Sequence, residues 1–108
     1  MDALFVINPI FPTGSIVATR GVYDLACENP EFARFIQKSL NRHVKGDWGD
    51  WGDLDDEDKR ANDQALKKGT RLLSAYNDDR FPQHGVATFW IITEADRSVT
   101  TILFPDEY

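Results

Sequence analysis

The period of hydrophobicity changes once along this chain, and that change limits its fold more than any other feature. Between Phe32 and His43 the apolar residues recur at helical spacing, whereas from Thr70 onward they recur at every second position. This switch of period, with three of the expected strands gathered at the end, predicts an α+β domain rather than alternating βαβ units. Thr70 to Tyr76, Val86 to Thr93 and Val99 to Phe104 are rich in β-formers, and the polar segments Asn77 to Gly85 and Glu94 to Ser98 separate them. This spacing predicts a three-stranded antiparallel meander packed against helices. The middle run has Val86, Trp90 and Ile92 on one face and Ala87, Phe89 and Ile91 on the other, so it is expected at the sheet centre.

Upstream, Ala3 to Ile7 is a compact β-prone run, and Ser15 to Thr19 is a second one after the Pro12-Thr13-Gly14 turn; both are expected as short strands. A first helix starts near Val22 and stops at Asn29-Pro30. In the second, Phe32, Phe35, Ile36, Ser39, Leu40 and His43 form an apolar stripe, while Arg34, Lys38, Arg42 and Lys45 form a basic one, before Gly46 ends it. A third helix over Asp55 to Lys68 has acids in its first turn, Lys67 and Lys68 in its last, and Gly69 just beyond. Its apolar stripe is thin, mainly Leu54, Ala61, Ala65 and Leu66, which predicts a surface helix.

A length of 108 residues suits one domain, 1–108, with one modest core. The longest apolar runs fall far below the roughly 20 residues of a membrane-spanning helix, and the start, MDALFVINPIFPTG, does not read as an export signal. The single cysteine, Cys27, cannot form an internal disulfide or a cysteine-based zinc site, and a reducing cytoplasm is the expected setting. No nucleophile elbow, phosphate loop or dinucleotide fingerprint is present, so no cofactor is expected, and no defined metal site is expected either, a looser cation site in the acidic segment staying open.

The net charge of −6 is local: Asp47, Asp50, Asp53, Asp55, Asp56, Glu57 and Asp58 fall in twelve residues without a base, and the rest is nearly neutral. Such a patch repels nucleic-acid phosphates and favours a basic protein surface or a cation. Part of it has a structural use, because Asp53 or Asp55 can cap the third helix while Asp56, Glu57 and Asp58 lie at the positive end of its dipole. An EF-hand loop starting at Asp53 fails, with Asp58 at the sixth position and Gln64 at the twelfth. Trp48 and Trp51 lie among these acids. Either both rings close the core, or one is buried and the other serves as a docking anchor.

His43 lies on the apolar stripe, where a satisfied structural imidazole is one reading. An imidazole oriented by Asp47 as a general base is the other. Glu94, Asp96 and Arg97 crowd the last hairpin; a Glu94–Arg97 ion pair shaping the turn is one reading, and a metal-independent hydrolase or nuclease using His43 with Asp47 or Glu94, and with Arg97 on a phosphate ester, is the other. Cys27 is a candidate nucleophile only if the fold brings it to His43.

His43-Val44-Lys45-Gly46-Asp47-Trp48-Gly49, Leu73-Ser74-Ala75-Tyr76, Trp90-Ile91-Ile92-Thr93-Glu94-Ala95-Asp96-Arg97-Ser98, Thr100-Thr101-Ile102-Leu103-Phe104-Pro105 and Glu107-Tyr108 resemble a family of short uncharacterised bacterial proteins described as plasmid-related. The likeness spans about residues 15–108 and implies a setting in mobile genetic elements, with no activity to carry over. That family shows Gly-Asp-Trp-Gly once, whereas Gly46-Asp47-Trp48 is followed here by Gly49-Asp50-Trp51, so either tryptophan could hold the family position.

Together these features predict a non-enzymatic protein-binding module. Its acidic, tryptophan-bearing segment, comprising Asp47, Trp48, Asp50, Trp51, Asp53, Asp55, Asp56, Glu57 and Asp58, would dock on the basic surface of a nucleic-acid-binding defence complex. The most concrete form is a DNA-mimicking inhibitor of anti-CRISPR or anti-restriction type.

Overall fold

The computed structural model describes residues 4–49, 56–82 and 87–108, the second span by its backbone alone over 56–58. The elements run β1 (Ser15–Ala18), α1 (Arg20–Glu28), α2 (Pro30–His43), α3 (Asp56–Lys68), β2 (Leu72–Tyr76), β3 (Phe89–Thr93) and β4 (Val99–Leu103), with a 3₁₀ turn at Pro105–Glu107. The fold is α+β, and β2-β3-β4 is the expected antiparallel arrangement. One strand more joins it: β1 runs parallel to β4, giving a mixed sheet of order β1-β4-β3-β2. The middle run of the meander, β3, is interior as its two apolar faces require.

The β-prone run at the N-terminus is not a strand where it is described. Leu4 to Ile7 lie along α2, and side-chain amides there replace a strand partner. Phe5 N–H donates to Gln37 Oε1 (3.2 Å), Ile7 N–H donates to Asn41 Oδ1 (2.9 Å), and Gln37 Nε2 donates back to the Phe5 carbonyl (2.6 Å). The alternation survives, with Leu4 and Val6 against the core and Phe5 and Ile7 exposed.

Local chemistry sets the helix ends. Asn29 Oδ1 accepts from the backbone N–H of Glu31 and Phe32 at 3.0 and 3.2 Å, and Pro30 opens α2. The start of α1 has no side-chain cap of its own. Glu107 supplies one from the far end of the chain, accepting from Thr19 Oγ1 (2.6 Å) and Gly21 N–H (3.1 Å). Gly69, at φ +73°, closes α3.

The stripe on α2 delivers Phe32, Ile36 and Leu40, all fully buried, onto the sheet face that carries Tyr76, Phe89, Ile91 and Ile102. Each such side chain contributes about 1.5–3 kcal/mol by leaving water. A second cluster joins Phe11, Trp48, Ala65, Leu72, Ala75 and Ala87 at the β2 end. There α3 covers an edge that would otherwise be open to pairing: Asn62 Nδ2 donates to the Leu73 carbonyl (2.5 Å), and Leu73 N–H donates to Asn62 Oδ1 (3.1 Å).

Candidate functional site

The acidic segment begins where α2 ends, and its first residues are built into the fold. Arg42 grips Asp47 with two bonds, Nε to Oδ2 at 2.8 Å and Nη2 to Oδ1 at 3.1 Å. The Arg42 guanidinium also lies 4.9 Å from the Tyr76 ring centre, and Tyr76 O–H donates to the Asp47 carbonyl (2.8 Å). Hydrogen bonding to Arg42 holds the Asp47 carboxyl below its usual range, against an opposing effect of burial.

Trp48 is 4 % exposed, packs near-parallel to Phe11, and donates its indole N–H to Asp63 Oδ1 on α3 (2.8 Å). Its carbonyl accepts from Ala75 N–H (3.2 Å), and Gly49 forms a parallel bridge with Ala75 on the outer edge of β2. Gly49 has φ +124°, and a Cβ there would stand 1.7 Å from the Ala75 carbonyl oxygen, so only glycine fits. The first Gly-Asp-Trp copy is therefore a structural clamp. Trp48 is inside, which corrects its expected role in partner contact, while Asp47, paired with Arg42, keeps its side chain about half exposed at 53 %. Asp50, Trp51, Asp53 and Asp55 lie outside the described residues; Asp56, Glu57 and Asp58 form the first turn of α3, with side chains outside the description.

His43 is fully buried, and both ring nitrogens are engaged. Nδ1 lies 2.5 Å from Ser74 Oγ and Nε2 lies 2.9 Å from Thr93 Oγ1; Thr93 Oγ1 is 2.8 Å from Thr100 Oγ1, which donates to the Thr13 carbonyl at 2.8 Å. Hydrogen counting fixes the direction. A carbonyl only accepts, so the Thr100 proton goes to Thr13, the Thr93 proton goes to Thr100, and Thr93 must accept from His43 Nε2–H. Nδ1 then accepts from Ser74 O–H. The result is a neutral relay with one proton per link, and the imidazole is the Nε2–H tautomer.

Burial first, and the positive charge of Arg97 second, lower the His43 pKa to about 3. The edges of Phe11 and Trp48 complete the enclosure, at ring separations of 5.4 and 5.6 Å. This corrects the general-base expectation: His43 bonds Ser74 and Thr93 rather than Asp47 or Glu94, and no face of it reaches solvent.

Arg97 is equally structural. Its Nη1 donates to the carbonyls of Thr70 (2.7 Å) and Glu94 (3.1 Å), and its guanidinium lies 5.7 Å from the Phe11 ring centre. The expected Glu94–Arg97 ion pair is replaced by this bond to the Glu94 main chain. Arg97 adopts φ +59°, closing the hairpin with its N–H on the Glu94 carbonyl (2.9 Å), while Asp96 Oδ1 accepts from Ser98 N–H and Oγ–H. Cys27 is exposed on α1, whereas His43 is fully buried and bonded to Ser74 and Thr93.

Sequence reasoning missed Asp63, Ser74, Thr93 and Thr100. The signal for the last three was there: Ser74 and Thr93 share the inward phase with Tyr76 and Phe89, and Thr100 shares it with Ile102. Among the described residues no helix is long and apolar enough to cross a membrane, and no group of three or more His, Cys, Asp or Glu could hold a metal ion. Comparison with protein-family models, with curated proteins and with solved structures gives no match.

Proposed function

We propose that this protein is a non-enzymatic binding module that docks on a basic protein surface through the acidic segment between Gly49 and α3. The observation that carries the reading is the double clamp at the segment's ends. Gly49 is bridged to Ala75 on one side, and Asp63 of α3 holds the Trp48 indole on the other. A short stretch of carboxylates tethered at both ends meets a partner with less chain entropy to lose than a free tail. Because Asp47 and Trp48 serve the clamp, the docking set is Asp50, Asp53, Asp55, Asp56, Glu57 and Asp58, with Trp51 as the anchoring aromatic. Carboxylates speed encounter and a buried indole slows escape. Combined with the likeness to plasmid-related proteins, the charge favours a partner whose groove normally holds nucleic-acid phosphates, such as a bacterial defence nuclease.

The test compares the wild type with an Asp50→Asn, Asp53→Asn, Asp55→Asn variant as inhibitors of purified restriction and CRISPR nucleases, at low and high salt. Salt-sensitive inhibition by the wild type, lost in the variant while its melting curve is unchanged, supports the reading. Equal inhibition by both proteins would show that the segment is not the contact.

A further inference from the structure

The two outer edges of the sheet are finished differently. On β2 the Ala75 N–H donates to the Trp48 carbonyl (3.2 Å), Gly49 bridges Ala75, and Asn62 bonds both the N–H (3.1 Å) and the carbonyl (2.5 Å) of Leu73. The outer edge of β1 has no such cover among the described residues. Ser15 and Thr19 donate inward to the carbonyls of Ser98 and Ile102 (3.0 Å each), and Val17 shares their phase, so the N–H and carbonyl of Ile16 and Ala18 point away from β4. An open edge of this kind is a template for another strand.

Charge and phase decide what that strand is. Ser15–Ala18 holds no charged residue, and the first charges after it, Arg20 and Asp24, face each other at 3.7 Å. The acidic segment leaves from Gly49, which is bridged to β2 at the opposite edge of the sheet. Two copies joined at β1 therefore keep their acidic segments roughly 30 Å apart by strand spacing, far beyond the ~8 Å screening length. The outward groups are also self-complementary. Turned antiparallel about Val17, Ile16 meets Ala18 of the second copy in a hydrogen-bonded pair, Ala18 meets Ile16 of that copy in another, and the two Val17 side chains meet between them. Val17 is 43 % exposed, on the face away from the core that Ile16 and Ala18 pack against.

We infer that β1 is a homodimer edge: two copies of the chain pair antiparallel through Ser15–Ala18 about a two-fold axis at Val17, making one continuous sheet with a covered β2 at each end. That cover stops the assembly at two, because neither outer edge is open to a third copy. The junction is small against the ~1,600 Å² of a standard interface, so the dimer forms reversibly with concentration. It goes beyond the docking function proposed for the acidic segment and does not rest on it.

The test is sedimentation equilibrium of the full chain from micromolar to millimolar concentration, with amide hydrogen exchange at both ends of that range. The mass is expected to rise from one chain to two, and the amides of Ile16 and Ala18 to become protected only at high concentration, while the inward-pointing amide of Val17 is protected throughout. Val17→Lys and Val17→Glu should each stay at the mass of one chain, with an unchanged melting curve in dilute solution. Mixing the two variants should restore the dimer, because opposite charges then meet across the axis. A mass of one chain at every concentration, growth beyond two, protection that leaves out Ile16 and Ala18, or no dimer in the mixture would each overturn the assignment.

Discussion

Arg42 and His43 are neighbours at the last turn of α2, and they live in opposite electrostatic regimes. Arg42 points outward, makes a charged pair with Asp47, and sits where water screens it. His43 points inward and is kept neutral by a chain of hydroxyls that ends on the Thr13 carbonyl. An exposed ion pair contributes little to stability, about 0–1 kcal/mol. A buried polar chain is costly to break because every orphaned group keeps its desolvation penalty. The contrast explains how one helix end both holds the core together and orients a surface loop.

The comparison breaks most sharply at His43. His43→Ala leaves a cavity and strips partners from Ser74 and Thr93, so urea denaturation should show a loss of about 3–5 kcal/mol. Replacing His43 and its two partners together, His43→Leu with Ser74→Ala and Thr93→Val, should recover much of that, because the one hydroxyl left, Thr100, still donates to the Thr13 carbonyl. A triple variant as unstable as the single one would mean that packing, not hydrogen bonding, dominates.

Acid gives the next largest effect. The folded His43 pKa of about 3 is below the unfolded value of 6.5, so the unfolded chain binds the proton more readily. The contribution is complete above pH 6.5 and declines as pH falls toward 3, with about 2 kcal/mol lost between pH 7 and 5. The outward side gives the smallest effect. Asp47→Asn should cost less than about 1 kcal/mol at pH 7, and high salt should shrink the difference.

Much of this was legible in the residues. The period switch gave the fold class, the stripe on α2 gave the core, and the thin stripe on α3 gave a surface helix. The parallel pairing of β1 with β4 was not legible, because a contact between Ile16 and Thr100 leaves no local pattern. Leu4 to Ile7 misled for a related reason: alternation reports which side is buried and not what satisfies the backbone, and here Gln37 and Asn41 do so. At the site, the charge concentration was plain. The inward turn of Trp48 was not, since it depends on Asp63, fifteen residues away. His43 was identified as lying on the apolar stripe, but its partners Ser74 and Thr93 come from two strands whose register only the assembled sheet reveals.

The most direct measurement is a nitrogen-15 NMR titration of the His43 imidazole in the folded protein. A protonated Nε2 and an unprotonated Nδ1, unchanged from neutral pH down to the onset of acid unfolding, would agree with a sealed neutral relay that leaves function to the surface. Titration near pH 6.5, or the opposite tautomer, would contradict it and return His43 to the candidates for chemistry.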